Sequence, residues 1–319
     1  MSGNSPDYQV RPNKAIDRML FLNLLMKLNR CCDISQYQYI GLGSFSFEEF
    51  KLLHNQLYIN DMISLEANES VFRRQQLNCP YKCIKTVQKT SGDFIADDFQ
   101  RDKPVIIWLD YTEADAVRSQ FEEFCTVASR LESKDILRIT LNAHPKTLWS
   151  NNGGFLAEQA RIKRLEVLRD RIGEFLPSGT EPSSLENKQY PKVLLGALKN
   201  ALYQFDKTSP KKFLPLLSCV YADGQQMMTI TGVMYSGEEE KQVILSALSG
   251  WEYLTSEWDK YNQIAIPSFT PIERLLLNQK LPGNVDDLMA VLNNTFSVVN
   301  IENYIKYYRY YPNFHQVIF

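Results

Sequence analysis

The sequence predicts an α/β protein with a doubly wound, mostly parallel Rossmann-like sheet, an antiparallel C-terminal hairpin and a helical C-terminal extension. Three observations carry that expectation. Short β-prone runs alternate with helix-like stretches over about 110 residues, the pattern of successive βαβ units. One run, Val105-Ile106-Ile107-Trp108-Leu109, is continuously apolar, as a strand covered on both faces requires. Further on, Asp223-Gly224 stands between two β-rich runs, a strong hairpin signal.

Each element has its own justification. Residues 1–12 read as a flexible lead-in. From Asn13 the apolar positions Ile16, Leu20, Leu24 and Met26 to Leu28 recur at helical spacing, with Pro12 at the start and an expected end near Asn29. Tyr37 to Ile40 is a strand, broken by Gly41-Leu42-Gly43-Ser44. A helix from Phe47 to Leu57 sets Phe50, Leu53 and Leu57 on one face. Met62 to Leu65 is a second strand ending at Glu66, with a helix around Val71 to Gln76. Cys83 to Val87 is a third, followed by the turn Ser91-Gly92-Asp93. The apolar fourth strand ends at Asp110-Tyr111. A helix from about Ala114 to Leu131 leads to a fifth strand, Leu137 to Leu141, ending at Asn142.

Beyond this point the pattern changes. Gln159 to Leu176 is a charged helix, Pro177 to Gln189 an exposed loop and Val193 to Phe205 a helix. The hairpin strands are expected at Phe213 to Tyr221 and Gln226 to Tyr235. A helix from Glu238 towards Leu254 follows, then short helices and an aromatic tail from Pro267. The expected organisation is an N-terminal extension and helix over 1–36, an α/β domain over 37–236 and a helical, aromatic extension over 237–319.

Composition excludes several classes. Apolar residues are 44% and charged residues 23% of the 319, ordinary for a soluble globular chain. No run approaches the ~18 apolar residues of a membrane span. Lys plus Arg is 35 against 37 for Asp plus Glu, a net charge of −2, which argues against a whole-surface nucleic-acid binder. Met1 to Lys14 is polar and lacks the apolar stretch of a secretory signal, so a cytoplasmic location is expected. Cys31, Cys32, Cys79, Cys83, Cys125 and Cys219 contain no paired C-x-x-C motifs. They are expected to be buried reduced thiols, with no metal site.

The chemistry-bearing residues fall at strand ends, where open α/β sheets bind ligands. The turn at Gly41 and Gly43 lets backbone approach a ligand closely. Glu66, about twenty residues further on, is placed to accept hydrogen bonds from ribose hydroxyls. Asp93 follows the third strand on the side expected for a nucleoside base. Asp110 and Tyr111 end the fourth strand, and His144 lies just beyond the fifth on the same rim. Lys14 is expected to be a solvated helix-start lysine, with folding over a ligand as the other reading.

This ordered series resembles the class I S-adenosylmethionine-dependent methyltransferase superfamily. Tyr39-Ile40-Gly41-Leu42-Gly43-Ser44 is similar to its glycine-rich first motif and Leu65-Glu66 to its ribose-binding acid. Ser91-Gly92-Asp93 is similar to its adenine-side turn and Ile107-Trp108-Leu109-Asp110-Tyr111 to its fourth motif. The stretch from Arg11-Pro12-Asn13-Lys14 through Tyr39 to Phe50 resembles uncharacterised bacterial proteins described as O-methyltransferases, which tend to occur in mobile or antiviral-defence gene clusters. The resemblance covers roughly residues 10–145. It implies S-adenosyl-L-methionine as cofactor, held by Gly41, Gly43, Ser44, Glu66, Asp93 and Asp110. It also implies Asp110, Tyr111 and His144 as candidates for positioning or deprotonating an unknown acceptor, and a protein partner encoded by a neighbouring gene.

Two departures matter. Tyr39 stands where many relatives carry an acid, and Ser44-Phe45 replaces the third glycine, so Phe45 is expected to narrow the methionine end of the pocket. These departures motivate a rival reading, a catalytically silent methyltransferase-like sensor or scaffold subunit. A third reading, a different nucleotide-using Rossmann-like enzyme, lacks the third glycine of its own fingerprint. Two further segments invite partner readings. Arg161, Lys163, Arg164, Arg169 and Arg171 are expected on an exposed, salt-bridged helix. The tail Tyr304 to Tyr311 interleaves aromatics with basic residues; packing is the favoured reading and base stacking on nucleic acid the other.

Overall fold

The computed structural model describes residues 11–150, 156–205 and 209–312. The first half runs α1 (Pro12–Leu28), β1 (Gln38–Leu42), α2 (Glu48–Leu57), β2 (Met62–Leu65), α3 (Glu69–Asn78), β3 (Ile84–Val87), α4 (Ser91–Asp97), β4 (Val105–Asp110), α5 (Val117–Arg130) and β5 (Ile136–Asn142). The second half runs α6 (Ala157–Ile172), α7 (Tyr190–Phe205), β6 (Lys211–Asp223), β7 (Gln225–Ser236), α8 (Glu238–Ala247), β8 (Asn262–Ile264), α9 (Pro271–Asn278), α10 (Val285–Val291) and α11 (Val298–Tyr307).

The eight strands form one sheet in the order β3-β2-β1-β4-β5-β7-β6-β8. Only β7 runs against the others, because it returns from β6 through the Asp223–Gln225 hairpin. Gly224 takes a φ of +108°, a conformation that costs a residue without Cβ little. β4 is central and its five apolar residues are buried, as their composition predicts. Ile106 and Trp108 face one helical layer, while Ile107 and Leu109 face the other. The first layer holds α1, α2 and the C-terminal helices; the second holds α4 to α7.

Several boundaries differ from the sequence expectation. Ser91-Gly92-Asp93 is not a free turn but the first turn of α4, capped by Thr90. The charged helix ends at Ile172, where Gly173 takes a positive φ. α8 ends at Ala247 rather than near Leu254, and Gly250 with φ +72° turns the chain away. β8 was not visible because three residues, Asn262-Gln263-Ile264, show no periodicity; they add in parallel to Cys219, Val220 and Tyr221.

One buried ion pair fixes α1 on the sheet. Arg138 of β5 and Asp17 of α1 are fully buried and paired. Arg138 also donates to Thr231 Oγ1 at 2.6 Å, and its guanidinium stacks over Phe21 and Trp108. Asp17 accepts from Thr229 Oγ1 at 2.7 Å. At the other end, Asp223 on the hairpin caps α1, accepting from the backbone N–H of Asn13 at 3.2 Å and of Lys14 at 2.8 Å. The N-terminus of α1 is thereby held beside the carboxyl end of β4.

Candidate active site

A cavity of about 360 Å³ opens at the carboxyl ends of β1, β2 and β4. Its walls are Leu42, Gly43, Ser44 and Glu49, then Leu65, Glu66 and Ala67, then Lys89, Thr90 and Ser91, and finally Asp110 to Glu113. A second cavity of about 160 Å³ is lined by Arg11, Lys14, Asp110, Thr112, Tyr221, Asp223, Gln225 and Met227. Asp110 and Thr112 belong to both, so the two spaces meet at the end of β4.

Glu66 ends β2 and is half-buried. Its Oε1 accepts from Asn68 N–H at 2.8 Å, which orients the carboxylate before α3 begins. Burial outweighs the backbone N–H groups of Asn68 and Ala67 and raises its pKa above the ordinary 4.5. Gly43 and Ser44 line the cavity. A Cβ on Gly43 would stand 2.0 Å from Ser64 Oγ and 2.9 Å from Gln75 Nε2, so β2 and α3 both require glycine there. Gly41 is absent from the lining. A Cβ on it would meet the Tyr39 hydroxyl at 2.5 Å, so this glycine accommodates the buried phenol.

The missing third glycine is compensated one turn later. Ser44 and Ser46 hydroxyls hydrogen-bond at 2.7 Å, and Phe47 takes φ +53° to open α2. Left-handed backbone costs a non-glycine residue roughly 1–2 kcal/mol, and full burial of the Phe47 ring offsets it. Phe45 is not among the lining residues. Arg74 stacks over its ring at 4.0 Å, away from the lining.

Asp110 forms the wall between the two cavities. Its Oδ2 accepts from Lys14 Nζ at 3.2 Å, and its side chain keeps only 18% exposure. Its Oδ1 is buried without a hydrogen-bond partner among the described residues. Burial opposes its charge. The Lys14 ammonium and the nearby Thr140 and Arg18 outweigh that penalty and hold the carboxyl below the ordinary 3.8. Lys14 is therefore not a solvated lysine: it is buried because the Asp223 cap draws the first turn of α1 down onto the rim.

The remaining expected site residues are distributed differently. Tyr111 lines the larger cavity; its hydroxyl lies buried near Glu123 and Ser91 and makes no close hydrogen bond. Burial and the Glu123 carboxylate raise its pKa, so it stays protonated. Asp93 is exposed and locked to Thr90, whose hydroxyl donates to it at 2.7 Å and accepts from its N–H at 3.0 Å. Thr90 and Ser91, not Asp93, line that wall. His144 lies outside both linings, at the start of a short 3-10 turn. Burial, then Lys146 and Arg164, lower its pKa.

Several lining residues carried no sequence signal, Glu49 and Lys89 among them. Glu49, on the first turn of α2, is bound by Arg18 at 2.6 Å. Lys89, between β3 and α4, pairs with Asp97 and Asp98. Both lie between motif positions, so only the folded chain brings them in. The basic helix α6 is spent on ion pairs, including Arg161 with Glu186 and Arg171 with Asp115. Tyr304 and Tyr307 are fully buried, which removes them from any base-stacking surface.

A Rossmann-like sheet with a cavity beyond the carboxyl ends of β1, β2 and β4 is the architecture in which open α/β proteins bind ligands. The chain belongs to the family described as "Putative O-methyltransferase", whose model matches residues 6–319. It is a methyltransferase of the S-adenosylmethionine-dependent kind. No curated protein matches it. Similar solved structures include Trm1 from Pyrococcus horikoshii with S-adenosyl-L-methionine, at 10% identity over 92% of this chain and 75% of that one, TM-score 0.47. A structure described as a "putative O-methyltransferase from Klebsiella pneumoniae" has 10% identity over 72% and 84%, TM-score 0.40. The O-methyltransferase from Bacillus cereus in complex with SAH has 13% identity over 70% and 81%, TM-score 0.35.

Among the described residues, no helix is long and apolar enough to cross a membrane.

Proposed function

We propose that this protein transfers the methyl group of S-adenosyl-L-methionine to an oxygen atom of a small acceptor, or of a single terminal group on a larger one. The observation that carries this reading is Asp110, shared by two adjoining cavities, held ionised and tethered by Lys14. The residues present fit the cofactor. Glu66 would hold the ribose, the Gly43–Ser44 turn the methionine side, and Thr90 and Ser91 the base side. When bound, the cofactor supplies an electrophilic methyl group on a sulfonium.

The chain's own residues do the rest. Lys14 fixes Asp110 through Oδ2 at the junction of the two cavities, where the carboxylate would orient an acceptor hydroxyl entering from the smaller one. A hydroxyl becomes strongly acidic as its oxygen gives up a lone pair. A carboxylate of low pKa is then basic enough to take its proton, and the reaction needs no strong base. Tyr111, held protonated with its hydroxyl buried beside Glu123 and Ser91, is no base for this reaction and contributes its ring to the wall. A cavity near 160 Å³ matches one six-membered ring, since a 150 Å³ apolar cavity holds benzene. Lys14, Asp110 and Thr112 on its wall favour a ring or chain bearing hydroxyls.

Against the silent-scaffold reading stand Glu66 and Asp110, both on the cavity, while the Tyr39 and Phe45 departures still speak for it. A defence role and a partner from a neighbouring gene rest on the family resemblance alone. The test is transfer of labelled methyl from S-adenosylmethionine to a panel of single-ring phenols and short hydroxy acids. Wild type is expected to label at least one class and Asp110→Asn none, with cofactor binding by calorimetry retained. Binding without any transfer, equal in both proteins, would favour the scaffold.

A further inference from the structure

Cys31 and Cys32 lie just past the C-terminus of α1, far along the helix from Lys14. Their sulfur atoms are 3.6 Å apart. Cys31 is half-exposed and Cys32 is almost buried, so the pair is reachable from one side. Both backbone N–H groups donate to the Leu28 carbonyl at 2.9 Å, and the Cys31 thiol donates to the same oxygen at 3.3 Å. These bonds hold the two side chains together on one turn.

The geometry argues against a disulfide as the function of this pair. The Cα atoms of adjacent residues across a trans peptide are ~3.8 Å apart, below the roughly 4.4–6.8 Å that disulfides ordinarily span. Closing the bond would strain the backbone. A single atom bridging the two sulfurs requires no sulfur–sulfur bond and less movement. A linear two-coordinate ion would have to push the thiolates to opposite sides, whereas a pyramidal trivalent centre accepts both from one side.

We propose that Cys31 and Cys32 form a vicinal dithiol site for a thiophilic trivalent metalloid, with arsenic(III) compounds as its ligand class. In the reaction each sulfur forms a bond to arsenic and two arsenic–oxygen bonds break. The oxygen leaves as water with the thiol protons, and no oxidation state changes. The surroundings favour the first attack. The two sulfurs share one proton and so favour a single thiolate between them, Tyr37 and Lys134 add to that, and the half-buried Cys31 is the sulfur an arsenic compound reaches first. This site is independent of the methyltransferase reading.

The probe is phenylarsine oxide added to the reduced full-length chain. Intact mass is expected to show one adduct, with two thiols lost to thiol titration. The adduct should survive excess monothiol and be removed by 2,3-dimercaptopropanol. Proteolysis of the wild-type adduct should place it on the peptide containing Cys31 and Cys32. Cys31→Ser, at the half-exposed position, should lose the monothiol-resistant adduct, and Cys83→Ser should keep it. An adduct mapped to another peptide, or one that consumes a single thiol, overturns the proposal.

Discussion

Asp17 and Arg138 show how a single contact orders this molecule. Both charges are removed from water, and their mutual attraction is supported by Thr229, Thr231 and two aromatic faces, with Arg138 Nε left without a hydrogen-bond partner among the described residues. Removing one partner leaves the other charged and buried, so Asp17→Ala should cost about 3–5 kcal/mol, read by denaturant unfolding. Replacing both with apolar residues of similar volume should cost far less, and equal losses would mean that packing, not charge, is what matters. Glu66 makes a separate prediction. Glu66→Ala should weaken S-adenosylmethionine binding by about 1.5–3 kcal/mol, the scale of hydrogen bonds to a charged group, by calorimetry. The pH dependence has a definite sign. Because burial raises the Glu66 pKa above 4.5, its ionised form is lost earlier on acidification than an ordinary glutamate's. Affinity should therefore begin to fall above that pH, and Glu66→Gln should flatten this part of the profile. Asp110 behaves oppositely. The stabilisation from its lowered pKa is present above 3.8 and is lost only as pH falls through the lower folded value.

At the level of elements, the strand ends were legible and their side-chain partners were not. Continuous apolar runs and strand-terminal acids revealed β1, β2, β4 and β5 and placed Glu66 and Asp110 on the cavity. The signal at Ser91-Gly92-Asp93 located the right bend, yet the carboxylate is consumed in capping α4, because a serine, threonine or acid near a helix start serves the backbone equally well. Gly41 lies off the lining, and a side chain there would collide with the Tyr39 phenol. Glu49 and Lys14 were hidden because their positions depend on helix α1 crossing the rim, a long-range contact that no periodicity records. That contact is testable through its cap. Asp223→Ala removes the acceptor of the Asn13 and Lys14 N–H groups, and cap losses cost about 0.5–2 kcal/mol. Lys14 should then loosen from Asp110. Methyl transfer is expected to fall more than cofactor affinity does, because the cap acts through Asp110 and not through Glu66; a uniform loss of both would contradict this route.

Across the whole molecule, the N-terminal helix, the hairpin and the C-terminal extension are joined at one point. Asn13 donates to Asp223 at 2.9 Å through its side-chain amide, and its Oδ1 accepts from Ile266 N–H at 3.0 Å. Behind this junction Tyr304 and Tyr307 bury their rings in the same core as α1 and β6. Tyr253 stacks on Tyr307 and donates to the Lys306 carbonyl at 2.7 Å, while Lys306 donates to Asn262 on β8. The extension therefore closes the outer end of the sheet and covers one face of α1. Truncating the Tyr307 ring to alanine should cost about 3–5 kcal/mol, the range for buried aromatics. That is a large share of the ~5–15 kcal/mol that holds a typical domain folded. Since the same core spans both ends of the chain, the full-length protein should unfold in one step. Tryptophan fluorescence and far-ultraviolet circular dichroism should give coincident denaturant midpoints, and Tyr307→Ala should shift both together. Two separated midpoints, with only the earlier one moved by Tyr307→Ala, would show instead that the extension folds as a unit of its own.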